Sequence, residues 1–218
     1  MTPPLQKVFD ISVVLGLHAA AYPGDTPYSR DLTSSMAAGS SCDVSTITMC
    51  AHSGTHIDSP AHFIAGGKTI DEYPVTDFIR PALVVSVEGR ESILPQDLEG
   101  LSIDAGDALL FRTDNSVLGL PRNPVFSERY VSLSPAAAQR CVAMGVGLVG
   151  IDCVSVDGFG DESYPVHHIL LGNGILVLEG IDLNHVPPGR YTLCCLPLML
   201  AQCEASPVRA ILWHSAPR

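Results

Sequence analysis

Basic side chains are scarce in this chain: 12 lysines and arginines stand against 23 aspartates and glutamates, a formal charge of -11. Nucleic acids and anionic membrane surfaces both require a basic face on their partner, so neither is expected to bind. Charge of either sign is sparse, at 16% of residues, while 46% are hydrophobic. That balance excludes a disordered chain and predicts a large buried core. Long apolar runs are missing too, since none approaches the ~18 residues that a membrane-spanning helix needs. One stretch, "KVFDISVVLGLHAAA", has the outline of a secretion signal, but it carries a single lysine and is interrupted by Asp10 and His18. A soluble, cytoplasmic protein is the expectation.

Paired cysteines are also lacking. Cys42, Cys50, Cys141, Cys153, Cys194, Cys195 and Cys203 form no C-x-x-C spacing, and their number is odd, which argues against a zinc ribbon and a closed disulfide framework. Most lie among Val, Leu and Ala, where a free thiol packs as a small hydrophobe, and retained thiols suit a reducing compartment. Glycine clusters such as "GNG" do not follow the phosphate-loop pattern, and no G-x-S-x-G elbow surrounds Ser155; nucleotide binding and serine hydrolysis are therefore unsupported. For Asp152, Ser155 and Asp157 a supporting or structural role is expected instead.

What the sequence does contain is a series of short β-branched apolar runs: 44–49, 82–87, 108–111, 145–151, 174–183 and 191–200, bounded by Gly, Pro, Asp or Asn. These read as strands. One clear helix interrupts them, in "LSPAAAQRCVAMG": Ser134 can cap it, Pro135 suits its first position, and Gly145 can end it. Ala137, Cys141 and Met144 then share a face. "SILPQDLEGL" suggests a second, short helix. The sum is a strand-rich α/β fold with few helices, and the length suits one domain over residues 1–218.

Chemistry concentrates in "HSGTHIDSPAH" (52–62), which holds His52, His56, Asp58 and His62. Gly54, Thr55, Ile57 and Pro60 disfavour a helix there. In an extended chain the period of two puts positions 52, 56, 58 and 62 on one side. Imidazole and carboxylate without thiolate suit zinc, manganese or iron(II), and one carboxylate can bridge two ions. A hydrogen-bonded surface loop is the alternative. A second feature favours the metal. Glu179 sits on the apolar run "GILVLEG", sharing a face with Ile175 and Val177, and a buried carboxylate is costly unless paired or metal-bound. A salt bridge to Arg140 or Arg209 is the competing explanation. Twelve residues before Glu179 stands the pair His167–His168. Read as extended chain, that pair can send only one ring toward the cluster.

The motif "HSGTHIDSPAHF" resembles the HxGTHxDxPxHF signature of the cyclase-like metal-dependent hydrolases, and the likeness runs along most of the chain: "YPGDTP" (22–27), "YVSLSPAAAQRCVAMGVGLVGIDCVSVD" (130–157) and the tail 178–212 are similar to family segments. The resemblance implies a swivelling β/β/α domain and a homodimer or higher homo-oligomer. It implies His52, His56, Asp58, His167 and Glu179 as ligands of two divalent ions, zinc or manganese, with Asp58 bridging, and His62 as the acid/base. It further implies hydrolysis of a small-molecule amide, foremost an aryl formamide such as N-formylkynurenine, with a cyclic amide or lactone as the other substrate class. A metal-binding scaffold without turnover is the remaining alternative, and His62 beside a full ligand set argues against it, because storage or structure needs no free histidine. Tyr22 stands where the formamidase branch usually has tryptophan, and His168 where arginine is more usual; both positions are implied to touch substrate.

Overall fold

The computed structural model describes residues 7–214. Its strands are, in chain order, β1 (Val8–Asp10), β2 (Ser29–Ser34), β3 (Val44–Thr48), β4 (His56–Asp58), β5 (Ile79–Val87), β6 (Ser92–Ile93) and β7 (Ala108–Thr113). They continue with β8 (Ser132–Leu133), β9 (Leu148–Ile151), β10 (Leu176–Glu179), β11 (Gly189–Cys194), β12 (Ala205–Pro207) and β13 (Ile211–Trp213). Three α-helices are described: α1 (Asp114–Val117), α2 (Pro135–Ala143) and α3 (Pro165–Gly172).

Nine strands form one sheet in the order β1-β13-β11-β5-β7-β9-β10-β4-β12. Its centre, β5-β7-β9-β10, is parallel, because α2 and α3 carry the chain back between β7, β9 and β10. Both flanks are antiparallel. The central strands are buried on both faces, as parallel strands covered on two sides must be. Alternation sorts their side chains. Leu109, Phe111, Val149, Ile151 and Val177 point into one core with α2 and α3, while Leu110, Leu148, Leu176 and Leu178 point into the other. This is the strand-rich α/β class with few helices that the punctuation of the sequence predicts.

Helix α2 begins as its sequence dictates. Ser134 Oγ accepts from the Ala137 N–H at 3.2 Å, Pro135 occupies the first turn, and Ala137 and Cys141 are fully buried. "SILPQDLEGL" yields only a single 3-10 turn, Pro95–Leu98. One expectation needs correction. Residues 165–172, read as extended, are the helix α3. The run 44–49 is a strand, but it pairs with β2 in a two-stranded hairpin whose residues are almost all exposed, Leu32, Val44 and Ile47 among them, and so lies outside the core. Of the cysteines, Cys141, Cys153 and Cys195 are buried; Cys50, Cys194 and Cys203 are half-buried and Cys42 is exposed, so the small-hydrophobe reading holds for three. Among the described residues no helix is long and apolar enough to cross a membrane.

Candidate metal centre and active-site cavity

Strand β4 lies between β10 and β12, with His56 opposite Glu179 and Asp58 opposite Val177. Ile57 enters one core, so His56 and Asp58 face the other side of the sheet, as Glu179 does beside Val177. Helix α3 packs over that side and brings His167 down onto them. The sequence around β4 explains why the strand holds still. Gly54 turns in the left-handed region at φ +65° and Gly180 at φ +66°, and the two backbones touch: a Cβ on Gly180 would lie 2.3 Å from the Gly54 oxygen. Thr55 fastens the same crossing, its hydroxyl donating to Gly180 O at 2.7 Å and accepting from the Val13 N–H at 3.0 Å. Past the strand, Ser59 donates through both N–H and Oγ to the Glu204 carbonyl, and Pro60 starts a 3-10 turn that folds His62 back over the site. Gly180→Ala should therefore destabilise the fold by about 2 kcal/mol or more, through overlap and left-handed strain together. Denaturant midpoints would show it, and an unchanged midpoint would contradict the close approach.

Two carboxylates are buried at the centre of this arrangement, Asp58 fully and Glu179 almost so. His52 Nδ1 stands 2.9 Å from Asp58 Oδ1, and His56 Nε2 stands 3.5 Å from the same oxygen and 3.3 Å from Glu179 Oε2. His167 Nε2 is 3.3 Å from Glu179 Oε1 and 3.7 Å from Asp58 Oδ2. The remaining lone pair of Glu179 Oε1 accepts from the Val156 N–H at 2.7 Å. No arginine takes part: Arg209 pairs with Asp10, and Arg140 is exposed on α2. The salt-bridge explanation of Glu179 is thereby removed.

The opposite nitrogen of each ring is also held. His56 Nδ1 faces Gly54 O at 3.0 Å, His167 Nδ1 faces Asp157 Oδ2 at 2.6 Å, and His52 Nε2 faces Glu204 Oε1 at 3.4 Å. Asp157, for which a supporting role is expected from sequence, also accepts from the N–H groups of Val166 and His167, capping α3 and bracing its histidine at once. Gly54 O and Glu204 are contributions that the sequence reading did not identify. Neither a backbone carbonyl nor a glutamate far along the chain leaves a mark in local spacing.

Electrostatically the site is a well for positive charge. Burial works against protonation of His56, but Asp58 and Glu179 outweigh it and raise its pKa to about 9. Against the same burial His52 is raised chiefly by Asp58, and His167 by Asp157 first and then by Asp58 and Glu179. Burial opposes ionisation of Asp58 and Glu179 as well, yet the histidines hold both below the usual carboxylate range. His62 behaves differently: burial outweighs the attraction of Asp58 and pushes it down to about 4. Its ring lies 4.1 Å from that of His52 and 5.7 Å from that of His167, centroid to centroid.

These residues fit a divalent metal. His56 Nε2 and both oxygens of Asp58 are buried and faced only by one another and by the other groups of this cluster, at 2.9–3.7 Å without good hydrogen-bond geometry, a cost that a cation would remove. Donor atoms of His52, His56 and Asp58 lie within 4.8 Å of one another, as do those of Asp58, His62 and His167. The two sets share Asp58.

The wall formed by His52, His56, His167 and Glu179 opens onto a cavity of about 440 Å³, within the range of small-molecule sites. Val13, Leu120, Pro121 and Val125 line its apolar side, and His62, Tyr130, Ser155 and Tyr164 contribute polar atoms. Tyr22 lines it too, in edge contact with Phe126 (5.4 Å) and Phe159 (6.2 Å). His168 is not among the lining residues. It is exposed on α3, with its ring against Phe63 at 5.3 Å.

Comparison with known proteins agrees with this geometry. Residues 9–158 match the family model described as "Putative cyclase". A kynurenine formamidase from Bacillus cereus is 36% identical over 203 residues, 93% of this chain and 95% of the relative. The structure of a predicted metal-dependent hydrolase from Bacillus stearothermophilus superposes with a TM-score of 0.82 at 28% identity, covering 96% of this chain and 99% of that one. Isatin hydrolase A from Ralstonia solanacearum shares the fold, with a TM-score of 0.83 at 21% identity over 96% of this chain and 92% of its own. The chain belongs to the cyclase family of metal-dependent hydrolases.

Proposed function

We propose that the protein is an arylformamidase that hydrolyses N-formylkynurenine to kynurenine and formate. One observation carries the chemical reading: two buried carboxylates that no arginine or lysine pairs among the described residues face three braced histidines at the wall of a largely apolar cavity. The kynurenine formamidases that match most of its length favour the formamide as substrate. The reaction class is hydrolysis of a carbon–nitrogen bond outside peptides. Opening of a cyclic amide is the second reading, supported by the isatin hydrolases that share the fold. Rates on N-formylkynurenine, isatin and a simple lactone, measured side by side, decide between them; a preference for isatin would overturn the formamidase assignment.

His52, His56, Asp58, His167 and Glu179 would hold the metal, with Asp58 shared between two ions, zinc or manganese. Bound there, a divalent ion supplies a Lewis acid for the carbonyl and lowers the pKa of water from 15.7 to about 7. The apolar wall and the Tyr22 ring receive the aryl group and exclude bulk water. His62, neutral at pH 7, takes the proton released as the C–O bond forms. It delivers that proton to the amine nitrogen as the C–N bond breaks. Its ring makes no hydrogen bond or ion pair among the described residues, unlike the three braced rings, and is held by packing between His52 and Phe63 with its nitrogens open to substrate. We further propose one domain over 1–218, a cytoplasmic location, and a homodimer or higher homo-oligomer. The exposed Leu32, Met36, Val44 and Ile47 of the β2–β3 hairpin region support the last.

On α3 adjacent residues diverge by about 100°, so His167 and His168 face different environments. Purified His167→Ala should lose metal, whereas His168→Ala should keep it. Substrate affinity in His168→Ala should change little, because its ring lies outside the cavity lining. Metal analysis of the two variants checks this, and the reverse pattern would reassign the ligand.

A further inference from the structure

Each of the three inward histidines can use only one nitrogen for the space between the carboxylates, and what holds the other nitrogen sets which one that is. For His56 and His167 the outer oxygen touches Nδ1, so Nε2 faces inward. His52 is reversed. Its Nδ1 faces Asp58 at 2.9 Å and its Nε2 faces the Glu204 carboxylate at 3.4 Å. Glu204 is placed there by the backbone. Its carbonyl receives two hydrogen bonds from Ser59, and the following strand, β12, pairs with β4. The part of the chain that carries the glutamate is thus fastened directly to the motif that carries the histidine.

We propose that Glu204 is a positioning residue for the metal centre: its carboxylate accepts the Nε2–H of His52 and so presents the Nδ1 lone pair to the ion shared with His56 and Asp58. This rests on the reading of His52 as a ligand given above. A histidine without that partner samples both tautomers and a wider range of ring angles, and each departure costs affinity. Loss of such an outer partner typically weakens metal binding 10–100-fold. Glu204 has a side chain that is 40% exposed, so the low end of that range is expected.

The test is zinc affinity, measured by competition with a chromophoric chelator, for the wild-type protein, Glu204→Ala, Glu204→Gln and His52→Ala. Glu204→Ala should weaken zinc binding about 10-fold, and Glu204→Gln should recover most of the loss, because its amide oxygen still accepts the bond. Long-range ¹H–¹⁵N spectra of the zinc-loaded wild-type protein should show His52 ligated through Nδ1 with the proton on Nε2. That measurement needs no variant and stands even if Glu204→Ala fails to fold. Ligation of His52 through Nε2 would overturn the proposal. So would wild-type affinity in Glu204→Ala alongside zinc loss in His52→Ala, an outcome that leaves the ligand reading intact. Unchanged zinc binding in His52→Ala would overturn that reading and the proposal with it.

Discussion

Dialysis against a strong chelator should abolish hydrolysis, and zinc or manganese should restore it. The effect should be large, because His62, whose ring has no hydrogen-bond partner among the described residues, is held near a pKa of about 4 and is too weak to deprotonate free water. Full activity in verified metal-free protein would sink the mechanism. The same experiment has a pH signature that needs no turnover. In metal-free protein His56 is raised to about 9, and His52 and His167 are raised with it. Their stabilising contribution is complete below the unfolded value of about 6.5 and is lost as pH climbs through the folded values. Asp58 and Glu179 are shifted down, so theirs is present above about 4 and lost on acidification. His62 is shifted the other way, down to about 4, so its contribution is lost as pH falls below about 6.5. Metal-free protein should thus be most stable near pH 6–7 and weaken toward pH 9. An ion must displace those histidine protons, so the gain in Tm on adding zinc should grow over the same interval. Thermal melts with and without zinc at several pH values measure both trends. A gain that shrinks with rising pH would mean that the metal does not compete for these rings.

Replacing His62 by alanine should lower kcat by roughly 10²–10⁴-fold, the usual contribution of a positioned proton donor. Metal content should stay near that of the wild-type protein. The geometry makes this a demanding prediction, since a ring nitrogen of His62 lies within 4.8 Å of donor atoms on both Asp58 and His167. Proximity alone would allow ligation. What speaks against it is the absence of an outer partner, which each of the other three rings possesses. Loss of one metal equivalent in His62→Ala would place it among the ligands.

Much of this site was legible in one dozen residues. Alternation along an extended segment puts His56 and Asp58 on a common side, and the structure places them there on β4. Glu179 was legible for a different reason: a carboxylate within an apolar strand has to be explained by something that binds it. The helix around His167 was missed although its signals were present, with Pro165 at the first turn, Gly172 at the last position and Asn173–Gly174 beyond the end. The apolar run and its two β-branched residues read equally well as strand. What tips the balance is Asp157, which caps the helix from outside its own sequence. The strand at 44–49 is legible but its exposure is not, because an apolar run reports that a strand exists and not what lies against it. Gly54 illustrates the reverse. Its place in the motif is visible in sequence, but its purpose is not, since the reason is a contact with Gly180 more than a hundred positions away.

That separation also governs when the centre comes into being during synthesis. Strand β4 leaves the ribosome early, yet both of its neighbours, β10 and β12, belong to the last quarter of the chain. Until they emerge, His56 and Asp58 have no strand to hold them, and neither Glu179, His167 nor Glu204 has been made. Closing so long a loop adds little equilibrium cost, but it delays the contact. The full set of proposed ligands is therefore assembled only among the final events of folding.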